Sequence, residues 1–133
     1  MAIKEESVTD QKNSLTVCLD NILRHAGITR NTEYDLAQGK TAIQILEENM
    51  TGVQVLDLSG CSLDAVLYYV NQDIPVLAIL EDGEAVLVTG FNEFNVVIMQ
   101  PSTGKLYKKG MNDATTWFAE NGNHFISYMK IDN

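Results

Sequence analysis

The sequence predicts an α+β domain in which N-terminal helices pack on a C-terminal antiparallel sheet. Three observations carry that expectation. Leu15, Cys18, Leu19, Ile22, Leu23 and Ala26 recur at i, i+3, i+4, i+7, i+8 and i+11, one continuous apolar face of a helix. Residues 75–104 hold three runs rich in Val, Ile and Leu (76–80, 85–89 and 96–99), nearly free of charge and separated by short turns. Such runs suit strands buried on both faces at the middle of a sheet. Helical patterns come first and strands follow, with one late helix, which is the order of an α+β chain. The strand meander is read as the core, with everything before it packed against one side.

Taken in order, residues 1–12 show no periodicity and read as an extended or disordered lead-in, and residues 13–133 as a single domain. The first helix starts near Asn13 and stops at Gly27, a residue suited to a left-handed C′ position. Thr16, Asp20, Asn21 and Arg24 are assigned to its polar side. Residues 28–38 are polar and irregular, with Asn31 and Thr32 capping a short turn. Thr41 is placed to cap a helix to about Asn49 that buries Ala42, Ile45 and Leu46. Gly52 ends it, and Val53 and Val55 mark a short strand. Ser62 caps a helix over 63–70, with Leu63, Val66, Leu67 and Val70 on one face, until Asp73-Ile74-Pro75 breaks it. Asp82-Gly83 signals a hairpin through a tight primed turn. Pro101 to Gly104 form a turn before a strand at 105–108, and Asn112 is expected to cap a helix holding Trp117 and Phe118. A last strand covers 124–129.

With 133 residues, 45% of them hydrophobic, the chain can bury one core, and one domain is the natural count. Eighteen acidic residues face nine basic ones, a formal charge of −9. Nucleic-acid binding needs a basic footprint that displaces counterions, so this balance argues against it, and against anionic membrane as well. No apolar run approaches the roughly 18 residues of a membrane span. The opening MAIKEESVTDQKNS is polar and acidic, unlike a signal or transit peptide. Cys18 and Cys61 are too few for a disulfide framework and lack metal-ligand spacing; two buried free thiols are the favoured reading, with one disulfide left open. Asp57, Asp64 and Asp73 show no calcium-loop spacing, and no phosphate-binding glycine loop occurs, so no cofactor and no metal are expected.

Two segments carry a family resemblance. In 14–27, SLTVCLDNILRHAG, the residues Leu19, Leu23 and Gly27 match an opening helix of the form Cys-Gly-Pro-Ala-Ala-Leu-x-x-x-Leu-x-x-x-Gly. In 83–104, Gly83, Ala85, Val86, Val88, Gly90 and Phe91 follow Gly-His-Ala-Val-x-Val-x-Gly-Tyr-Asp. Asn95, Val96, Pro101 and Gly104 then follow a strand and Asp-Pro-x-x-Gly. With the closing stretch 121–128, these residues resemble the C39-like cysteine peptidases, a branch of the papain-like superfamily. The resemblance implies a papain-like fold. It also sets Ser14 at the catalytic Cys position, Glu84 at the His position and Gln100 at the Asp position, with Leu15-Thr16 replacing Gly-Pro.

Those three substitutions decide the functional expectation. A papain-like peptidase needs a thiolate at a helix N-terminus, where free backbone N–H groups and the dipole lower its pKa. It also needs an imidazole to take the proton and a third group to orient that imidazole. A serine hydroxyl beside a carboxylate supplies neither nucleophile nor base. The expected protein is therefore a catalytically inactive C39-like domain that binds a peptide or protein segment within a larger bacterial protein, leaning by resemblance to a secreted or cell-surface one. Its groove would run between the start of the first helix and strands 85–99, with Phe91, Phe94, Tyr68 and Trp117 as candidate lining. A bland reading makes Ser14 a helix N-cap, Glu84 and Gln100 ordinary strand-end residues, and the domain a spacer. The alternative function is an active cysteine peptidase using Cys18 with His124 or His25, although His25 lies seven residues on, about 10 Å along one helix. Val8 stands where the family keeps its oxyanion glutamine, and Gln11 is the neighbouring amide.

Overall fold

Every position of the run Val76 to Ala78 is buried, and a strand that is apolar at both its odd and even positions must be covered on both faces. The computed structural model, which describes residues 13–131, meets that requirement with one six-stranded sheet between two helical layers. The elements are α1 (Ser14–His25), α2 (Glu33–Ala37), α3 (Ala42–Asn49), β1 (Val53–Asp57), α4 (Leu63–Val70) and β2 (Val76–Ile79). They continue with β3 (Ala85–Phe91), β4 (Asn95–Gln100), β5 (Lys105–Gly110), α5 (Met111–Glu120) and β6 (His124–Lys130). The sheet order is β1-β6-β2-β3-β4-β5, and every neighbouring pair is antiparallel. The expected α+β class and the central meander are therefore present. The lead-in read at 1–12, with Val8 and Gln11, lies outside the described residues.

The two faces hold separate cores. Leu77, Leu87, Met99 and Ile126 pack with α1 and α3, whereas Val76, Val86, Ile98 and Phe125 pack with α4 and α5. This corrects the expectation that everything before the meander lies on one side: α4 precedes it and covers the opposite face from α1. β6 is the other non-local feature. It returns from α5 to sit between β1 and β2, pairing Val55 with Tyr128 and Ala78 with Phe125.

Local rules explain most element ends. α1 closes in a Schellman arrangement, with Ile28 N–H donating to the Leu23 carbonyl (2.8 Å), Gly27 N–H to that of Arg24 (2.9 Å), and Gly27 at φ 85°. Thr41 caps α3 in a full capping box with Gln44, and Ser62 accepts from Ala65 N–H to cap α4. Three local expectations need correction. The hairpin at 82–83 is not a primed turn, because Gly83 has positive φ and Asp82 does not; Gly83 N–H donates back to the Leu80 carbonyl, and the glycine takes the left-handed position after the turn. α5 has Gly110 at its N-cap with no side-chain cap, so β5 runs straight into it and Asn112 lies inside the first turn. Of the Asn31-Thr32 pair, Asn31 does cap the turn, its Oδ1 accepting from Glu33 N–H at 3.0 Å, whereas the Thr32 side chain makes no cap bond and is fully buried against α1.

That burial overturns the polar side assigned to α1. Asp20 is 8% exposed, and one of its carboxylate oxygens accepts from both the backbone N–H and the hydroxyl of Thr32, each at 2.8 Å. Thr16 is buried beside them. A buried carboxylate is tolerable only when charged hydrogen bonds compensate its desolvation, and here they clamp the loop after α1 to the helix. Among the described residues, no helix is long and apolar enough to cross a membrane.

Candidate functional site

At one end of the sheet, α1, the β2–β3 hairpin, the end of β4 and helix α5 enclose a cavity of about 430 Å³. Its wall includes Ser14, Glu84 and Gln100, together with Asn13, Tyr107 and Trp117. The three positions set by the family pattern thus share one cavity, although 86 residues separate the first from the last. The sheet register explains part of this convergence. Leu87 pairs with Met99 on antiparallel neighbours, so the start of β3 and the end of β4 fall at the same end.

Ser14 opens α1, but it is not the cap. Asn13 is, its side-chain oxygen accepting from Thr16 N–H at 2.8 Å. The reading of Ser14 as an N-cap is corrected accordingly. Ser14 Oγ instead accepts from the Ala85 backbone N–H at 2.7 Å, tying the start of α1 to the start of β3. Glu84, exposed, precedes that strand; its own N–H donates to Asp82 Oδ1 at 2.9 Å, which shapes the hairpin tip. The Gln100 amide points along its own turn, Nε2 reaching Ser102 Oγ at 3.5 Å. Tyr107 and Trp117 close the wall from β5 and α5. Burial holds the Tyr107 phenol above its ordinary pKa, so it faces the cavity as a neutral hydroxyl. Of the four aromatics named as candidate lining, Trp117 is placed here. Tyr68, Phe91 and Phe94 are exposed and line no part of it, and Tyr107 was missed.

Chemically the cavity offers three hydroxyls (Ser14, Ser102 and Tyr107), two carboxylates (Asp82 and Glu84), two amides (Asn13 and Gln100) and two aromatic rings, and among the described residues its lining holds no thiol and no imidazole. Among the described residues, no group of three or more His, Cys, Asp or Glu side chains could hold a metal ion. The site therefore presents hydrogen-bonding groups and ring faces.

Cys18 and the histidines lie elsewhere. Cys18 is 0% exposed in the core between α1 and the sheet, and burial pushes its thiol up to about 12. His25 Nε2 is bonded to the Asp73 carbonyl at 2.8 Å, and His124 is exposed at the start of β6. No hydrogen bond joins Cys18 to either imidazole among the described residues. Both cysteines are free, and Cys61 is half-buried rather than buried. Native-state labelling with iodoacetamide at pH 8 should accordingly modify Cys61 and spare Cys18, whose thiolate fraction is on the order of a thousandfold below that of an ordinary thiol. Rapid single-site modification of Cys18 would contradict this placement. The sign of the linkage is also fixed. Above the ordinary thiol pKa the unfolded chain releases the Cys18 proton while the folded chain keeps it, so this contribution to stability is lost as the pH rises from about 9 towards 12.

The layered sheet, the leading helix aimed at the cavity and the late α5 define a papain-like α+β fold. That class is matched by a solved structure of a Bacillus anthracis protein assigned to the C39-like peptidases, with a TM-score of 0.76 over 92% of this chain and 91% of that one. Sequence identity is 16%, so the likeness is one of fold. No family model matches the sequence, and no curated protein does.

Proposed function

We propose that this domain is a peptide-binding module built on the C39-like, papain-like fold and unable to cut what it holds. The observation that carries this reading is the single cavity shared by Ser14, Glu84 and Gln100, with Tyr107 and Trp117 beside them. An alcohol whose oxygen already accepts from Ala85 N–H, in a cavity lined by carboxylates and, among the described residues, by no imidazole, lacks a base matched to taking its proton for attack on an amide. What remains is a concave surface of about 430 Å³ with ring faces and a few polar groups, the composition of a recognition site. The acidic lining and the net charge of −9 set a preference against anionic segments.

Trp117 is the sole tryptophan of the chain, so its emission reports on the cavity without a label. Titrating the protein with a set of unstructured heptapeptides of systematically varied sequence should give saturable emission changes for a subset. Mass spectrometry should find those peptides intact after prolonged incubation. Cleavage of any bound peptide, or no response across the whole set, would end the proposal.

A further inference from the structure

β5 is an edge of the sheet: β4 pairs with one side of it, and among the described residues no strand neighbours its other side. Its sequence, KLYKKG, concentrates three of the nine basic residues of a chain with eighteen acidic ones. Lys105, Lys108 and Lys109 form no ion pair with any carboxylate among the described residues, whereas Arg30 and Lys40 do so with Asp35 and Glu48. Lys109 stands over the Trp117 ring at 4.8 Å. Interleaved with the lysines are two large apolar residues: Leu106, 61% exposed, opposite Met99, and Tyr107, opposite Ile98. Leu106 also rims a hollow of about 360 Å³ with Pro75, Leu87 and Met99, beside α1, whose Asn21 and His25 line it too.

Lysines alone would be an ordinary defence of an edge against unwanted pairing. Defence does not explain a leucine left more than half exposed between them, nor a patch of one sign gathered on a protein of the opposite sign. We propose that β5 is a docking edge for an extended acidic segment of a partner protein, which adds a strand to the sheet outside β5. Its backbone would satisfy the open N–H and C=O groups of the edge, its carboxylates would face Lys105 and Lys109 on one face of the strand, and on the other face an apolar side chain would cover Leu106 beside Lys108. Charge complementarity selects this occupant over a second copy of the chain, since pairing β5 with itself would set lysines against lysines. The surface adjoins the cavity through Tyr107 and Trp117 but does not require the function assigned to it.

The test uses the full chain and three fluorescent heptapeptides: one alternating Glu and Val, one alternating Lys and Val, and one alternating Glu and Pro. Anisotropy at low salt should show binding of the Glu-Val peptide at least about tenfold tighter than either of the others, weakening as salt is raised. Amide hydrogen exchange should slow at 105–110 on binding. Lys105→Glu with Lys108→Glu, both at exposed positions, should weaken binding at least about tenfold with an unchanged unfolding midpoint. Leu106→Ser should weaken it without changing the salt dependence. Equal binding of the Glu-Pro peptide, which lacks alternate N–H donors, would reduce the edge to a charge patch and overturn the proposal. So would absence of binding, protection confined to other strands, dimerisation through β5, or preferential binding to anionic vesicles.

Discussion

Ser14→Cys, Glu84→His and Gln100→Asp combined should produce a thiol that iodoacetamide alkylates at pH 6 about tenfold faster than the thiol of Ser14→Cys alone. The figure follows from two opposing effects. Moving a thiol from the ordinary 8.5 to about 5.5, within the range reached beside an imidazolium at a helix N-terminus, raises the thiolate fraction at pH 6 by about two hundredfold. The intrinsic nucleophilicity of the more acidic thiolate falls by about twentyfold, leaving a net gain of about ten. The geometry makes the experiment reasonable, since position 14 opens a capped helix and positions 84 and 100 end neighbouring strands on the same cavity. The pH profile separates the outcomes. A midpoint well below 7 means that the three positions cooperate as thiolate, imidazole and orienting group. A new thiol that titrates near 8.5 in a folded triple variant means that they do not meet, and the positional match to the C39-like pattern is then wrong.

What could be read from the sequence, and what could not, divides along the range of the interaction. The caps Thr41 and Ser62, the Gly27 stop and the apolar strand runs of the meander each rest on a few neighbouring residues, and the structure places them as the sequence implied. The sequence positions of Ser14, Glu84 and Gln100 came from matching segments to a family, and their convergence follows from how α1 docks on β3, which no local pattern specifies. Apart from the turn type at 82–83 and the caps expected from Asn112 and Ser14, the misreadings were non-local. Asp20 looks like a solvent-facing residue because helical periodicity cannot know that Thr32 will fold back onto it. α4 was put on the wrong face because periodicity identifies an apolar stripe without saying which side of the sheet it covers. One signal for that side was available: the unbroken apolar run through Val76, Leu77 and Ala78 demands helices on both faces. Tyr107 gave no such signal, being one ring in a lysine-rich strand whose place beside the cavity is set by the turn at 101–104.

The largest loss of stability is expected from Phe118→Ala. Phe118 is 1% exposed, with its ring centroid 5.3 Å from Phe125 and 4.9 Å from Trp117, so it holds α5 against β6 and supports one wall of the cavity at once. Deleting a buried phenylalanine side chain costs about 3–5 kcal/mol, from the lost transfer energy and the void left behind. Against the roughly 5–15 kcal/mol of a domain this size, that is a large share. Urea unfolding should show it as a lower midpoint with little change in slope. Phe94→Ala provides the contrast, since that ring is largely exposed and its removal should stay within about 0.5 kcal/mol. Phe118→Leu, which refills most of the volume, keeps the test open if the alanine variant fails to fold. Because α5 follows β5 without a loop and has no side-chain cap of its own, its position depends on this apolar contact more than on any local signal. Loosening it should therefore also red-shift Trp117 emission in the folded state, coupling the core to the cavity wall. A Phe118→Leu variant that is substantially destabilised while Trp117 emission stays unchanged would mean that the ring supports the core alone and that the wall is held by something else.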